Sequence, residues 1–288
     1  MNRCFGMRLL LSVLVVLALS TPPLSAQVGG GLPVMEPDTP LEALDTASEA
    51  RGWEAIGRID TGRGYCTGTL ISPDLVLTAA HCLFGETAAE RLPDAALTFK
   101  AGLRDGIAEA QRSVRRSVVH PDYIHGQEVT DDRVRVDIAL LQLGGPINTA
   151  FVRPMTARGR AEQGDIVEVV SYGQGRENHA SHEDDCAMLR DQSGIHIFSC
   201  HVVQGSSGAP VMIDQGDQLN IVAVVSAVGT LGDQQVAITV PVEGMIPTLM
   251  DAFGQNNLQS VRSLPQIRRL GGAGSDGRQT TGARFLRP

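Results

Sequence analysis

Gly205-Ser206-Ser207-Gly208-Ala209-Pro210 sets two serines in a turn bracketed by glycines, and its reading depends on two segments upstream, Thr78-Ala79-Ala80-His81-Cys82 and Asp137-Ile138-Ala139-Leu140-Leu141. A serine hydroxyl is a poor nucleophile at neutral pH until an imidazole accepts its proton. The imidazole works best when a carboxylate fixes its tautomer and stabilises the imidazolium. The three segments supply these parts in the chain order His, Asp, Ser. Each alone says little, because Gly-x-Ser-Gly recurs by chance; order and spacing together carry the signal. Triads that run Ser, Asp, His or Asp, His, Ser belong to other folds, so this order excludes both.

Local context selects among rival residues. His81 closes an apolar run, whereas His120 and His125 lie outside any such setting. Asp137 opens an apolar run, where a buried carboxylate requires a partner, while Asp131 and Asp132 sit in a charged loop. Gly205 two before and Gly208 one after point to Ser207 in preference to Ser206.

On these motifs the chain, from about Trp53 to about Phe253, resembles the trypsin/chymotrypsin-like serine endopeptidases. The resemblance implies an all-β fold: two six-stranded antiparallel β-barrels with the active site in the cleft between them, and a short C-terminal helix. It implies His81 as base, Asp137 as orienter and Ser207 as nucleophile, with the backbone N–H groups of Gly205 and Ser207 as an oxyanion hole. No cofactor or metal is called for. The family's common Gly-Asp-Ser-Gly-Gly-Pro stands here with Ser206 in place of the Asp, and no Arg-Ile-Val-Gly-Gly-like sequence lies near Trp53. Ser206 cannot pair with a new N-terminal ammonium, so maturation by that ion pair is not expected. In this the chain is more similar to the bacterial glutamyl-endopeptidase-like (V8-like) branch.

The same resemblance places His201, six residues before Ser207, at the base of the primary pocket, where Arg/Lys-specific members carry Asp. Cleavage after Arg or Lys is therefore not expected. The pocket wall falls to Val225, Ser226, Ala227 and Val228, with Gln235 and Val236 nearby, which favours small or apolar side chains, with Glu or Asp second.

The amino terminus sets the expected compartment. Arg3 and Arg8, an apolar stretch from Leu9 to Leu19 broken by Ser12, and a small residue at Ala26 read as a secretory signal peptide over 1–26. A secreted or periplasmic location follows, with no stable membrane span after cleavage. Beyond Ala26 there are four cysteines, which allow three pairings. The resemblance implies Cys66–Cys82 across the histidine loop and leaves Cys186 with Cys200. Each closes a loop of roughly 15 residues, for which chain entropy gives about 3 kcal/mol.

Residues 53–254 read as the protease-like domain, with strands clearest at Gly68–Ala79, Asp137–Leu143, Asp165–Val170 and Leu219–Ala227. Val242, Ile246, Leu249, Met250 and Phe253 share helical spacing and predict a closing helix after Pro241. Residues 27–52 read as a flexible lead or propeptide, and 255–288 as a disordered basic tail. Residues 27–254 carry 16 Lys plus Arg against 31 Asp plus Glu, while the tail carries six Arg against Asp276. An acidic core and a solvated basic tail give no support for nucleic acid. The cluster His179, His182, Glu183, Asp184, Asp185 and Cys186 holds several ligand types, but density is not convergence, and it reads as a solvated polar loop. The expected partner is a protein or peptide substrate, and the chain reads as a monomer. The other class to weigh is a secreted homologue that binds a partner without cutting it.

Overall fold

The computed structural model describes residues 41–262, apart from 86–89, 127–129 and 217. The signal segment, residues 27–40 of the lead and the tail beyond 262 lie outside the described residues. A two-residue strand, β1 (Glu42–Ala43), precedes a first barrel of β2 (Ile56–Asp60), β3 (Tyr65–Ser72), β4 (Leu75–Thr78), β5 (Thr98–Ala101), β6 (Ala110–Val119) and β7 (Ala139–Leu143). These close in the order β2-β3-β4-β7-β6-β5, and every pair is antiparallel. The short helix α1 (Asp131–Val134), capped by the Thr130 hydroxyl, leads into β7.

The second barrel follows β8 (Thr156–Ala157). It comprises β9 (Ile166–Gly173), β10 (Arg176–Gln192), β11 (Ile195–Phe198), β12 (Pro210–Asp214), β13 (Leu219–Leu231) and β14 (Gln234–Pro241). Its ring β9-β10-β11-β14-β13-β12 closes because β9 pairs with both β10 and β12; β1 adds to the outer edge of β10 and β8 runs parallel to β13. The expected two six-stranded barrels are present.

Alternation explains why these segments are strands. In β5, Phe99 and Ala101 face inward while Thr98 and Lys100 are half-buried, and in β7 four of five residues are buried between the barrel and its surroundings. Ile56, Ile59, Leu70, Leu77, Leu97, Phe99, Leu140 and Leu141 belong to the core on the first-barrel side. Val167, Val169, Met188, Phe198, Val211, Val222 and Val225 form a second cluster. Each such side chain contributes about 1.5–3 kcal/mol on leaving water.

Three expectations are corrected. The lead is docked from residue 41: Leu44 is buried, its N–H donates to Ala180 O at 2.9 Å, and Glu42 and Ala43 lie opposite His182 and Ser181. The exposed edge of β10 supplies donors and acceptors that this short segment satisfies. The closing helix α2 (Met245–Arg262) runs past residue 254, where the tail was expected to begin. Pro247 falls in its first turn, where a missing N–H breaks no helical bond. Leu249 and Phe253 bury its inner face, and the Arg116 guanidinium lies 4.6 Å from the Phe253 ring centre. Finally, His179–Cys186 is no loop but part of β10, which buries Glu183 and Cys186 and, across a break in register between them, exposes Asp184 and Asp185. His182 meets Glu168 at 2.8 Å, Glu183 meets His201, and Cys186 is bonded to Cys200.

Candidate active site

The cleft between the barrels gathers His81, Asp137, Ser207 and their supports. His81 sits in a one-turn helix, Ala80–Leu83, that leaves the end of β4, with Ala80, Cys82 and Leu83 buried beneath it. Cys82 is tied to Cys66 on β3, with a Cα–Cα distance of 6.2 Å, so the histidine turn is bonded to the barrel wall. Asp137 precedes β7, which pairs with β4 from Thr78↔Ala139 onward, so the two strands bring the two side chains together. The His81 N–H donates to Asp137 Oδ1 at 2.8 Å, and Nδ1 lies 2.7 Å from Oδ2. Asp137 is only 3% exposed. A second donor comes from the other barrel: the Ser226 hydroxyl donates to Asp137 Oδ2 at 2.5 Å.

Burial pushes the Asp137 carboxyl up, but the adjacent imidazole and the hydrogen bonds from His81 and Ser226 outweigh it and hold the group below the usual aspartate value. An ionised carboxylate only accepts, so Nδ1 carries the proton and Nε2 keeps its lone pair. A depressed folded-state value means that this carboxylate contributes stability above the unfolded value of about 4, lost as pH falls through the folded value. Thermal melts are expected to show an acid limb below about pH 4 that Asp137→Asn flattens; an identical limb in the variant would refute this linkage.

Ser207 lies in the same cleft as His81, Cys82, Gly205, Gln204, Tyr65 and Phe84. The turn that carries it is fixed from both barrels. Gly208 N–H donates to Val225 O at 2.7 Å and Thr67 N–H to Ser207 O at 2.8 Å, while the Thr67 hydroxyl donates to Gly205 O at 2.9 Å. Gly205 has φ +96°, and a side chain there would fall on the Tyr65 ring. Among the described residues no acceptor engages the N–H of Gly205 or Ser207. Ser206 turns away: it is fully buried, with its hydroxyl 3.1 Å from Ser171 Oγ.

The rivals are occupied elsewhere. His120 is buried beside Asp122, and burial pushes its pKa down. His125 stacks on Phe84 with ring centres 4.3 Å apart. Asp132 pairs with Arg135, and Asp131 accepts from Gln192. Cys66, His81 and Cys82 cluster closely, but both sulfurs are in the disulfide and are unavailable to a metal.

The expected pocket residues divide. Val225 is 2% exposed and packs in the second-barrel cluster, whereas Ser226 lines the cleft with its hydroxyl on Asp137. Ala227 does line the cleft beside His81. His201 is held by Glu183, a buried acid that the sequence reading assigned to solvent: Oε2 accepts the His201 N–H at 2.8 Å and Oε1 lies 3.1 Å from Nδ1. Ser226 carried a readable signal as the one polar residue in the apolar run Ile221–Val228.

A double barrel with a histidine, a buried aspartate and a serine turn at its seam defines a class of peptidase folds. Residues 66–224 match the trypsin-like peptidase domain, and the chain belongs to that family. Among curated proteins it is similar to phenoloxidase-activating factor 1 of Holotrichia diomphalia (23% identity over 68% of this chain and 67% of that one). It is also similar to serine protease 7 of Drosophila melanogaster (26%, 60% and 54%) and ovochymase of Halocynthia roretzi (33%, 41% and 8%). The chain thus spans about half the length of the second of these and a small part of the third. Among solved structures, a Glu endopeptidase in complex with MPD superposes with a TM-score of 0.60 at 18% identity, over 73% of this chain and 96% of that one. That likeness is one of fold.

Proposed function

We propose that this chain is a secreted or periplasmic serine endopeptidase that cleaves protein or peptide substrates through an acyl-enzyme, as a monomer and without a cofactor. The observation that carries the reading is the Ser226–Asp137–His81 network, opening onto a cleft shared with Ser207 and two unengaged N–H groups. In acylation, Ser207 Oγ bonds to the scissile carbonyl carbon while its proton passes to His81 Nε2. The N–H groups of Gly205 and Ser207 receive the oxyanion. Collapse breaks the C–N bond, His81 protonates the leaving amine, and water repeats the sequence to release the acid and free Ser207. Asp137 stays ionised throughout.

Both Glu183 oxygens meet His201, which stands where Arg/Lys-specific members carry Asp, and this supports a preference outside Arg and Lys. Small or apolar residues remain favoured, with Glu or Asp second. Two disulfides and the signal-like residues 1–26 support an oxidising compartment; among the described residues no helix is long and apolar enough to cross a membrane. The deciding experiment is labelling with a fluorophosphonate, which bonds an activated serine, followed by peptide mapping and cleavage profiling on a mixed peptide library. The expected adduct sits on Ser207. Absence of any adduct on the folded, oxidised protein would favour the non-cutting homologue.

A further inference from the structure

Beneath the turn that carries Ser207 lies an arginine that the chemistry above does not use. Arg176 begins β10, just past the Gln174–Gly175 corner from β9, and its side chain folds back under the turn. Nη1 donates to Ser171 O at 3.1 Å. A Cβ at Gly173 would stand 2.5 Å from Arg176 Nη2, 2.9 Å from its Cζ and 2.7 Å from Val203 Cγ2, so guanidinium and valine share the space that Gly173 leaves open.

Val203 opens the segment that ends at Ser207. Thr67 holds the Gly205 and Ser207 carbonyls from the first barrel, and the ties at Val203, Gln204 and Ser206 run to β9, to the β9–β10 corner or within the turn. The Val203 N–H donates to Ser206 Oγ at 3.3 Å, the Ser206 N–H to Val203 O at 2.9 Å, and the Gln174 N–H to Gln204 O at 2.8 Å. Ser206 Oγ meets Ser171 Oγ at 3.1 Å, and the carbonyl of that same Ser171 accepts from Arg176. Arg176 Nη2 is fully buried and meets no acceptor among the described residues. No carboxylate of a described residue lies within 4.0 Å of the guanidinium, although Glu183, Glu177 and Tyr65 act on it through space. A buried donor without a partner carries an uncompensated desolvation cost, which an apolar side chain of similar length would avoid. Such a cost kept in a native fold asks for a compensating role.

We propose that Arg176 is a positioning residue: its planar, permanently charged head wedges the Val203–Ser207 segment in the conformation that presents the Gly205 and Ser207 N–H groups to the cleft. It does so from within the chain, in a protein whose Ser206 has no charge to offer a cation. The proposal rests on the reading of those two N–H groups as substrate-facing donors.

The test compares wild type, Arg176→Met and Arg176→Lys in the full oxidised chain. Methionine keeps the length and loses the head; lysine keeps the charge without the planar fork. Amide hydrogen exchange at Val203 and Ser206, whose N–H groups are bonded within the segment, is expected to accelerate about tenfold or more in Arg176→Met, with β3 and β7 unchanged, and to recover in part with lysine. In parallel, kcat on peptides and the fluorophosphonate labelling rate should fall roughly 10- to 100-fold with KM little moved, since misplaced donors weaken transition-state binding selectively. Unchanged exchange at Val203 and Ser206 overturns the proposal whatever the activity. Accelerated exchange in a protein whose wild type neither labels nor cleaves would support the wedge and overturn the protease reading instead. If Arg176→Met does not fold, Arg176→Lys carries the same test, and exchange identical to wild type in that variant overturns the role of the fork.

Discussion

Asp137→Asn is expected to lower kcat by roughly 10⁴-fold while leaving KM and the fold itself nearly unchanged. The magnitude follows from which atoms the carboxylate serves. Oδ1 accepts the His81 backbone N–H, and Oδ2 accepts both His81 Nδ1 and the Ser226 hydroxyl. In asparagine the carbonyl oxygen must keep the backbone bond, because a backbone N–H cannot reverse its role. The amide NH₂ then faces His81 Nδ1, and the Ser226 hydroxyl rotates to accept its second hydrogen. Nδ1 becomes an acceptor, the ring proton moves to Nε2, and His81 can no longer take a proton from Ser207. Ser226→Ala removes one donor without changing the tautomer and should cost only about tenfold, in line with a single hydrogen bond. Steady-state kinetics on one peptide across both variants checks the pair. A loss below about 100-fold in Asp137→Asn would mean that His81 is not the base.

The contrast between the two variants shows what could be read from sequence. Asp137 declared itself because an acid at the head of an apolar strand needs a partner, and His81 because it ends another such strand; β4 and β7 pair side by side and bring them together. Ser207 was separable from Ser206 by its glycines, and the structure shows why: one serine faces the cleft and the other is buried against Ser171. The barrels were equally legible, since the period-two burial of β5 and the short apolar run of β7 are local properties of the chain. Ser226 and Glu183 were not assigned their partners, and the reason is the same for both. Each meets its partner across the fold, Ser226 over 89 positions to Asp137 and Glu183 over 18 to His201. The composition of Glu183-Asp184-Asp185 suggests solvent, whereas a break in register between Glu183 and Cys186 buries Glu183 and leaves both Asp184 and Asp185 exposed. Arg176 belongs with them: nothing near Gly175-Arg176-Glu177 reveals that the side chain will fold under a turn 30 residues later.

Gly208→Ala should be the most destabilising single methyl that can be added to this protein's serine turn. Gly208 has φ +84°, and its absent Cβ points at Thr78 Oγ1 and at the Thr67 carbonyl oxygen, with the Ala79 nitrogen 3.1 Å away. None of these can yield cheaply. The Thr78 hydroxyl is itself bound to Thr67 O at 2.8 Å, and Thr67 and Thr78 are buried in β3 and β4. The second barrel closes the other side, with Gly208 N–H on Val225 O. A left-handed non-glycine costs about 1–3 kcal/mol and overpacking a similar amount, so roughly 2–6 kcal/mol is expected. That is a large share of the 5–15 kcal/mol typical of a domain and corresponds to a Tm lower by roughly 4–24 °C. The matched control is Gly62→Ala, with φ +78° and nothing within 4 Å of the added carbon, which should show the backbone cost alone. Thermal melts of the two variants separate strain from collision. Equal losses would mean that the serine turn does not press on β3 and β4; a much larger loss at Gly208, with kcat falling alongside it, would show that the barrel seam holding Ser207 in place also carries a large part of the stability.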